Sequence, residues 1–412
     1  MTKPIDYTAA ISGLTKVQFI ALMAMLMSIN AISIDIMLPG LQEIGASLGV
    51  VDENDRQYVI SAYLIGMGCA QLFFGPLSDR FGRKAPLLGG LALYGLCALA
   101  IVFVPTFSAL LALRFVQGIG AAATRVITVS IVRDVYGGRQ MAEIMSLVMM
   151  VFMIVPVVAP SIGQLIMLFS EWHIIFVVIA LFAAAIAAPV ALRLQETLAP
   201  ANRRAFTAKV IADGFRIVLT NRLALFYTLA TSALLGGLFG FVNSAQQILV
   251  GTYGLGIWFP AVFATFAGMM AVASFTNSRL VQRFGMRALS HAALLGFALA
   301  SFVWMSTSLM GPLSLPLFVV LLTATMFQFG LIAANFNAMA MEPLGHVAGT
   351  ASSVLGFTQT IGGALIGALI GQAFDGTVTP LAVGFFFVAV IAFACVLIAE
   401  GGRLFRPHNP AG

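Results

Sequence analysis

Three normally charged side chains lie well inside long apolar stretches of the sequence: Asp35, Arg114 and Arg125. Charged groups are rare within membrane-spanning helices, and where they occur they usually line an ion or substrate pathway. A carboxylate can take up and release a proton, whereas arginine stays charged at any physiological pH. The chemistry that these residue types could perform is therefore reversible proton binding at Asp35, modulated by a nearby guanidinium group and by changing access to water.

Helix geometry places Asp35 and Arg114 at similar depth. Asp35 lies roughly 27 Å into the first apolar stretch, which places it in the outer third of a membrane, and Arg114 lies about 9 Å into the fourth stretch from its outer end. The two side chains can therefore pair, and we expect them to act together in proton coupling. A second interpretation stays open, in which Asp35 is a helix-terminal acid that reaches the outer water just before Pro39.

Arg125 follows Arg114 by eleven residues, close to three helical turns, so both guanidinium groups share one helix face about 16 Å apart. Two buried cations need partners or water. We expect this face to line a central cavity, where Arg125 attracts an anionic or carbonyl-rich substrate group; the alternative is a pair of structural ion bridges. The uncharged polar residues that we expect to contribute to the same substrate cavity are Asn243, Gln246, Gln328, Asn335 and Gln359.

The composition requires that most of the chain face lipid or other parts of the protein. Only 9% of the 412 residues are charged, against about 25% in soluble domains, and the mean hydropathy is +1.03. The three cysteines, Cys69, Cys97 and Cys395, and the four histidines are scattered without the spacing of metal ligands, so we expect neither a metal site nor a bound cofactor.

Apolar stretches of about 20 residues predict twelve membrane-spanning helices and thus an all-α integral membrane fold. Their approximate bounds are 17–40, 56–78, 86–106, 108–132, 141–166, 173–193, 223–248, 257–278, 288–310, 314–339, 349–373 and 380–400.

An internal repeat divides these helices into two sets of six. Arg80-Phe81-Gly82 recurs as Arg283-Phe284-Gly285, an offset of 203 residues, which is typical of membrane folds built from two related halves. We therefore expect three regions: an N-terminal six-helix half, a polar linker on the cytoplasmic side with a short amphipathic helix near 208–219, and a C-terminal six-helix half. The predicted regions are 1–193, 194–222 and 223–412.

The distribution of basic residues predicts the orientation. If the N-terminus is cytoplasmic, 18 of the 21 lysines and arginines fall in cytoplasmic segments, and Arg56 alone falls in an outer loop. Both termini are therefore expected in the cytoplasm. The net charge of +6 is then explained by topology and by contact with anionic membrane lipid, so a nucleic-acid partner is not expected.

Six short segments resemble motifs of the major facilitator superfamily and, within it, of the twelve-span drug:proton antiporters. Residues 75–84, between spans two and three, resemble the loop motif of the superfamily; residues 114–120 resemble the span-four motif associated with proton coupling; and residues 156–163 resemble the antiporter motif of span five. The other three resemble the bicyclomycin and chloramphenicol resistance (Bcr/CflA) subfamily: 33–39, 132–136 and 348–353.

The resemblance implies a major facilitator fold with pseudo-two-fold symmetry, and efflux of lipophilic drugs or antibiotics across the bacterial inner membrane by alternating access. It further implies proton antiport driven by the proton gradient, a small drug-like substrate, and a monomeric transporter that is not an enzyme. A metabolite symporter or facilitator of the same fold stays open as an alternative. A membrane-embedded enzyme or a sensor is disfavoured, because no catalytic or phosphate-binding constellation is visible.

Two of these motifs carry specific structural expectations. Pro156 and Pro160 must interrupt the backbone hydrogen bonds of span five, and Gly163 leaves room for close packing; the resemblance implies that the resulting bend seals the cavity against proton leak. Residues 75–84 carry an acid, Asp79, that the repeat replaces with Gln282. A one-sided ion pair suits a conformational latch that holds the outward-open state, and the latch residues are Gly75, Asp79, Arg80, Gly82, Arg83 and Lys84.

Overall fold

The structure, a computed structural model, describes residues 14–203 and 208–405. Within these residues the regular elements are helices. The two chain ends, whose side of the membrane the charge count predicts, lie outside the described residues, as does the linker segment 204–207.

Twelve of the described helical segments are long and apolar enough to cross a membrane, and they confirm the twelve predicted spans. Their bounds are Lys16–Ser47, Glu53–Phe81, Lys84–Ile101, Phe107–Val135, Glu143–Phe169, His173–Leu192, Arg222–Thr252, Gly256–Phe284, Met286–Leu309, Leu315–Leu344, Ala351–Gln372 and Thr379–Ala399.

Seven helices precede the polar stretch at the middle of the chain. They are α1 Lys16–Asp35, α2 Leu41–Ser47, α3 Tyr58–Phe81, α4 Lys84–Ile101, α5 Phe107–Val135, α6 Gly138–Phe169 and α7 His173–Leu192. Seven more follow: α8 Ala208–Thr220, α9 Arg222–Gln246, α10 Phe259–Phe284, α11 Met286–Leu309, α12 Leu315–Met341, α13 Ala348–Gln372 and α14 Thr379–Ala399.

The first span is broken near its end. Helix α1 ends at Asp35, a tight turn covers Leu38–Gly40, and the short helix α2 completes the span. Pro39 explains the break, because a proline has no backbone N–H and its ring collides with the carbonyl four residues earlier, which here is that of Asp35. At the other end, Thr15 and Gln18 form a reciprocal capping box that begins α1.

The chain folds into two compact units. The first comprises residues 1–49 and 62–211, in which α4 packs on α5 and α7 while α1 packs on α6. Close approach of α5 to α3 depends on Gly118, since a Cβ there would lie 2.1 Å from the carbonyl oxygen of Tyr63. This part of span four is thus a packing surface inside the first unit.

The second unit comprises residues 50–61 and 212–412, with α9 packed on α13 and α14, and α12 packed on α10 and α11. The short segment 50–61, which leads into α3, groups with this unit although it lies in the first half of the sequence. Helix α8 occupies the predicted amphipathic stretch, and its Phe215 ring meets Phe357 of α13 edge-on at 5.7 Å.

Candidate functional site in the membrane-spanning helices

Asp35 occupies the last position of α1, at the break that Pro39 imposes, and its side chain is buried with 6% of its surface exposed. Asp35 therefore lies at a helix end, as the second interpretation expected. It is also removed from water, as the proton-binding interpretation expected. A buried carboxylate in a spanning segment is a strong candidate for a proton-binding group.

Arg114 is fully buried and holds the last turn of α1. One terminal nitrogen donates to the Ser33 hydroxyl at 3.1 Å and to Gln117 Oε1 at 2.7 Å, and the other donates to the Ser33 carbonyl oxygen at 3.1 Å. Carbonyls in the last turn of a helix lose their intrahelical donors. The guanidinium group thus serves as a cap for the helix end that carries Asp35.

The expected pairing of Arg114 with Asp35 is not among the ion pairs that the structure describes in the first unit, which join Lys16 to Glu143, Arg83 to Asp79 and Asp134, and a protonated His173 to Glu171. The two terminal nitrogens of Arg114 donate to Ser33, two residues before the acid, and to Gln117 on its own helix. Arg114 is therefore placed to position the turn of Asp35.

Polar and aromatic groups that were not singled out from the sequence complete this region. The Arg114 guanidinium lies over the Tyr63 ring, 4.5 Å from its centroid. The Tyr63 hydroxyl donates to Asn30 Oδ1 at 3.1 Å, and Asn30 Nδ2 donates to the Thr124 hydroxyl at 3.3 Å. Among the partners of Arg114, Ser33 and Gln117 lie in the segments 33–39 and 114–120 that the sequence singled out, whereas Tyr63, Asn30 and Thr124 lie outside the six segments.

The span-five motif, residues 156–163, contacts the residue that follows Asp35. Helix α6 continues through Pro156 and Pro160, and a Cβ at Gly163 would lie only 1.9 Å from the carbonyl oxygen of Ile36. Backbone therefore meets backbone at this point, as the close packing predicted for Gly163 requires. The turn that carries Asp35 is thus fixed from one side by Arg114 and from another by α6.

Arg125 differs from Arg114 in its surroundings. Its side chain is exposed although it lies in the middle of α5, between the buried residues Thr124 and Ile127. Within the described part of the chain no ion pair includes Arg125. The two arginines thus share a helix face by spacing, yet one is packed inside the first unit and the other presents an accessible cation.

The charged loop between α3 and α4 forms an ion cluster inside the first unit. Arg83, 3% exposed, donates through Nε to Asp134 Oδ2 at 2.7 Å and through a terminal nitrogen to Asp79 Oδ1 at 2.6 Å and the Ser78 hydroxyl at 2.8 Å. Burial lowers the pKa of Arg83, but hydrogen bonds and charges of Asp134 and Asp79 raise it, and the net shift is upward. The cluster joins the ends of α3 and α5.

Glu196, which follows α7, is a member of this cluster that sequence reasoning missed. Its two oxygens accept the backbone N–H groups of Arg83 at 2.7 Å and Lys84 at 3.1 Å, while Lys84 Nζ donates to the Ala191 carbonyl at 2.7 Å. Gly82 has φ of 92°, and a Cβ there would lie 2.4 Å from Glu196 Oε2. Nothing in the local sequence predicts this contact, because it joins residues more than one hundred positions apart.

The polar residues predicted for a substrate cavity in the second unit have different surroundings. Asn335 Nδ2 donates to Asn277 Oδ1 at 2.7 Å, which joins α12 to α10. Gln359 Nε2 donates to Asn337 Oδ1 at 2.9 Å, which joins α13 to α12. Gln328 helps to line an open hollow of about 490 Å³ between α10 and α12. Their role as substrate contacts stays a prediction.

An amide cluster, defined by Asn54, Gln57, Gln247 and Gln372, lies at the ends of the helices in the second unit. Gln57 Nε2 donates to Gln247 Oε1 and, at 3.0 Å, to the Gly371 carbonyl. Gln247 Nε2 donates to Asn54 Oδ1 at 2.8 Å, and Gln372 Nε2 donates to the Asn54 carbonyl at 2.8 Å. These neutral groups are joined by hydrogen bonds and not by an ion pair, and Gln57 Oε1 is buried without a partner among the described residues.

The two predicted cavity residues nearest to this cluster, Asn243 and Gln246, are both buried. Asn243 is fully buried, and neither polar atom of its side chain has a hydrogen-bond partner among the described residues. A buried amide without a partner is unfavourable. Such a group indicates a site where a polar ligand, water or another conformation provides the missing partners.

Comparison with known proteins adds the family context. The model of the family described as Major Facilitator Superfamily matches residues 19–367. The chain is 33% identical over 367 residues to a Haemophilus influenzae protein named "Bicyclomycin resistance protein homolog", a match that covers 88% of this chain and 91% of that one. It is 31% identical over 351 residues to "Multidrug resistance protein MdtL" of Shewanella oneidensis, covering 81% of this chain and 83% of that one.

A solved structure is similar in fold. The human organic anion transporter MFSD10 (TETRAN) superposes with a TM-score of 0.68 at 17% sequence identity, and the match covers 94% of this chain and all of that one. At this level of identity the likeness is one of fold. It agrees with the twelve apolar helices described above.

Proposed function

The chain belongs to the Major Facilitator Superfamily, is a membrane transporter and not an enzyme, and on that premise we propose that it exports lipophilic, drug-like compounds in exchange for protons. The observation that carries this proposal is the buried Asp35 at a helix break whose two neighbouring contacts are with the span-four and span-five motifs. The relatives named for bicyclomycin and multidrug resistance support drugs as the substrate class.

Asp35 is the group that we assign to carry the proton. It is a carboxylate, it is buried, and its turn is fixed at Ser33 by Arg114 and at Ile36 by α6. A movement of either neighbouring helix would therefore move the acid between environments of different water access, and proton affinity changes with such access. Arg114 cannot supply the mobile proton itself, because a guanidinium stays charged.

Arg125 is the group that we assign to attract substrate. It presents an exposed cation in the middle of a spanning helix, and such a cation is retained where it meets water or an anionic or carbonyl-rich ligand. In the second half we propose Asn243, Gln246, Gln328, Asn335 and Gln359 as polar contacts of the substrate. Arg125 and Asp35 are separate groups, and in this proposal substrate and proton compete for the neighbourhood of Asp35.

We place the protein in the bacterial inner membrane as a monomer, with both termini in the cytoplasm. The charge distribution supports this orientation, since 18 of the 21 basic residues then lie on the cytoplasmic side. Exchange proceeds by alternating access, in which a proton entering from outside releases the drug to that side. The energy source is the proton gradient, and no bound cofactor is required.

The ion cluster around Arg83 is assigned the role of a latch on the cytoplasmic side that stabilises the outward-open state. Arg83 joins the end of α3 to the end of α5, and Glu196 joins the same loop to the segment after α7. On α5, Asp134 of the cluster lies about 30 Å along the helix from Arg114, the residue that contacts the turn of Asp35. Its effect is therefore on the conformational equilibrium and not on proton binding itself.

Transport into inverted membrane vesicles tests the proposal. An imposed inside-acid gradient should drive uptake of at least one compound from a broad panel of lipophilic antibiotics, and dissipating the gradient should abolish that uptake. Vesicles with the Asp35→Asn variant serve as the matched control, because asparagine preserves shape and removes the titratable group. Absence of gradient-driven uptake for the whole panel would reject antiport. Uptake driven instead by an inside-alkaline gradient would favour a symporter of the same fold.

A further inference from the structure

A second buried set of titratable groups lies in the second unit, at the end where the chain terminates. Tyr227 of α9, His291 of α11 and Glu400, which follows α14, are all buried. Arg287 of α11 connects this set to Glu342, which follows α12. No pattern in the sequence groups these residues, and none of them belongs to the site described above.

Hydrogen bonds fix the tautomer of His291. Its Nδ1 accepts the backbone N–H of Phe405 at 3.1 Å, so in the neutral imidazole the proton must lie on Nε2. That Nε2–H then donates to the Tyr227 hydroxyl, 2.9 Å away, and the hydroxyl donates to Glu400 Oε1 at 2.7 Å. In the hydrogen-bonded series from Phe405 through His291 and Tyr227 to Glu400, each bond thus pairs one donor with one acceptor.

Phe405 is held in an unfavourable backbone conformation. Its φ is 67°, and it is the one described residue other than glycine with a positive φ. A bulky residue rarely adopts this region unless its surroundings impose it. Two contacts do so here: the N–H bond to His291, and an edge-on contact between the Phe405 and His291 rings with centroids 5.7 Å apart.

Charged groups approach the His291 region from each neighbouring helix. Glu400 accepts Arg287 Nε at 3.0 Å, and a terminal nitrogen of Arg287 donates to Glu342 Oε2 at 2.8 Å. The guanidinium of Arg222, at the start of α9, lies beside Gly401, and the exposed Arg403 follows two residues later. Histidine is the group among them whose charge changes nearest to physiological pH.

We propose that His291 is a proton-responsive anchor for the C-terminal segment of this transporter. When Nδ1 is unprotonated it accepts the Phe405 N–H and holds the segment. When Nδ1 takes up a proton it becomes a donor facing another donor, so the bond to Phe405 is lost and the strained backbone relaxes. Gly401 and Gly402, both with positive φ, form the turn about which the released segment moves.

This inference is independent of the proposed drug export, since it concerns a different unit and needs no substrate. Acidification on the side where residues 403–405 lie should release these residues while α9, α11 and α14 stay packed. In an antiporter that admits protons to that side, such an anchor would report their accumulation.

Spin-label mobility measures the release directly. A label at Arg403→Cys, in a chain whose three native cysteines are replaced by alanine, should be immobile at pH 8 and mobile at pH 5 in detergent or nanodiscs. Two substitutions of His291 separate the roles of its nitrogens. His291→Asn places a non-titrating acceptor near the Nδ1 position, so the label should stay immobile at both pH values; His291→Gln lacks that acceptor, so the label should be mobile at both.

Phe405→Pro provides a test outside the helices. Proline removes the backbone N–H and cannot adopt a positive φ, so the spin label at position 403 of this variant should be mobile at every pH. A label in the otherwise native chain that stays immobile to pH 5, or a native-like pH response in His291→Asn or Phe405→Pro, would overturn the proposal. Size-exclusion profiles that match the native protein exclude unfolding as the cause of mobility.

Discussion

Asp35 and Arg114 differ in what each can contribute to proton coupling. A carboxylate changes charge by binding a proton, whereas the guanidinium offers five fixed donors and a permanent charge. In this chain the donors of Arg114 cap the turn at Ser33 and reach Gln117. The arginine is therefore best understood as a positioning residue for the acid, which is a narrower role than direct ion pairing.

Arg114→Lys tests this role. Lysine keeps the positive charge but cannot donate to the Ser33 carbonyl, the Ser33 hydroxyl and Gln117 in the same geometry. We expect folded protein with gradient-driven uptake reduced by about 10-fold or more, since loss of one well-placed charged hydrogen bond corresponds to roughly 1.5–3 kcal/mol. Uptake equal to that of the native protein would show that charge alone suffices at position 114.

Arg125→Gln tests the exposed cation. Because Arg125 has an exposed side chain, its replacement should leave the fold intact. Affinity for anionic or carbonyl-rich compounds should fall by about 10-fold, the equivalent of one charge-assisted contact, while affinity for uncharged hydrocarbon-like compounds should not change. Equilibrium binding of matched compound pairs measures this, and an equal loss for both classes would remove Arg125 from substrate recognition.

At the scale of helices, the contact between α6 and the turn after Asp35 connects the span-five motif to the proton site. The contact joins backbone to backbone, because Gly163 has no side chain and lies against the Ile36 carbonyl. Contacts of this kind transmit small displacements, since packed interiors have few voids that could absorb them.

Gly163→Ala is expected to displace the two helices, because the added Cβ would lie 1.9 Å from the Ile36 carbonyl oxygen. Overpacking of this kind destabilises a protein by about 1–3 kcal/mol, so we expect a lower melting temperature and loss of coupled uptake. Gly89→Ala is the matched control in the same unit, since a Cβ there meets nothing within 4 Å. Similar behaviour of the two variants would argue against the contact.

Asp79→Asn tests the latch. The substitution removes one of the two carboxylates bound to Arg83, while Asp134 stays in place at 2.7 Å. We expect the ratio of outward-open to inward-open protein to fall by roughly 10-fold, as loss of one charged hydrogen bond implies, with a slower transport cycle. Distance measurements between labelled helix ends would report the populations. Unchanged populations and an unchanged rate would show that Asp79 is not a latch.

At the scale of the molecule, the features that could be predicted from the sequence are the helices, because each is marked by a regular local pattern of apolar residues. Twelve apolar stretches predicted twelve spanning helices, and the structure places spans within a few residues of most predicted bounds. The amphipathic stretch 208–219 predicted α8 for the same reason, since period and composition are local properties. Asp35 could be singled out because a carboxylate inside an apolar run is conspicuous in sequence.

Contacts between distant residues could not be predicted in this way. Glu196 binds the loop of Arg83, and Gln57 binds Gln247 across 190 positions. Tyr227, His291 and Glu400 are separated by most of the second half of the chain, yet they form one hydrogen-bonded series. Each residue alone resembles an ordinary polar residue near a helix end, and only the fold brings the partners together.

In the proposed mechanism, Asp35 binds the proton that is exchanged for drug. If substrate and proton compete, binding of substrate must release a proton, and affinity must rise with pH until Asp35 is ionised.

Proton release on binding is therefore the most direct measurement. A compound that the vesicles accumulate is added to purified protein in weakly buffered solution with a pH indicator. We predict release of about one proton per bound substrate, and no release by Asp35→Asn although that variant still binds the compound. Equal proton release by the native protein and Asp35→Asn would contradict the assignment of the proton to Asp35.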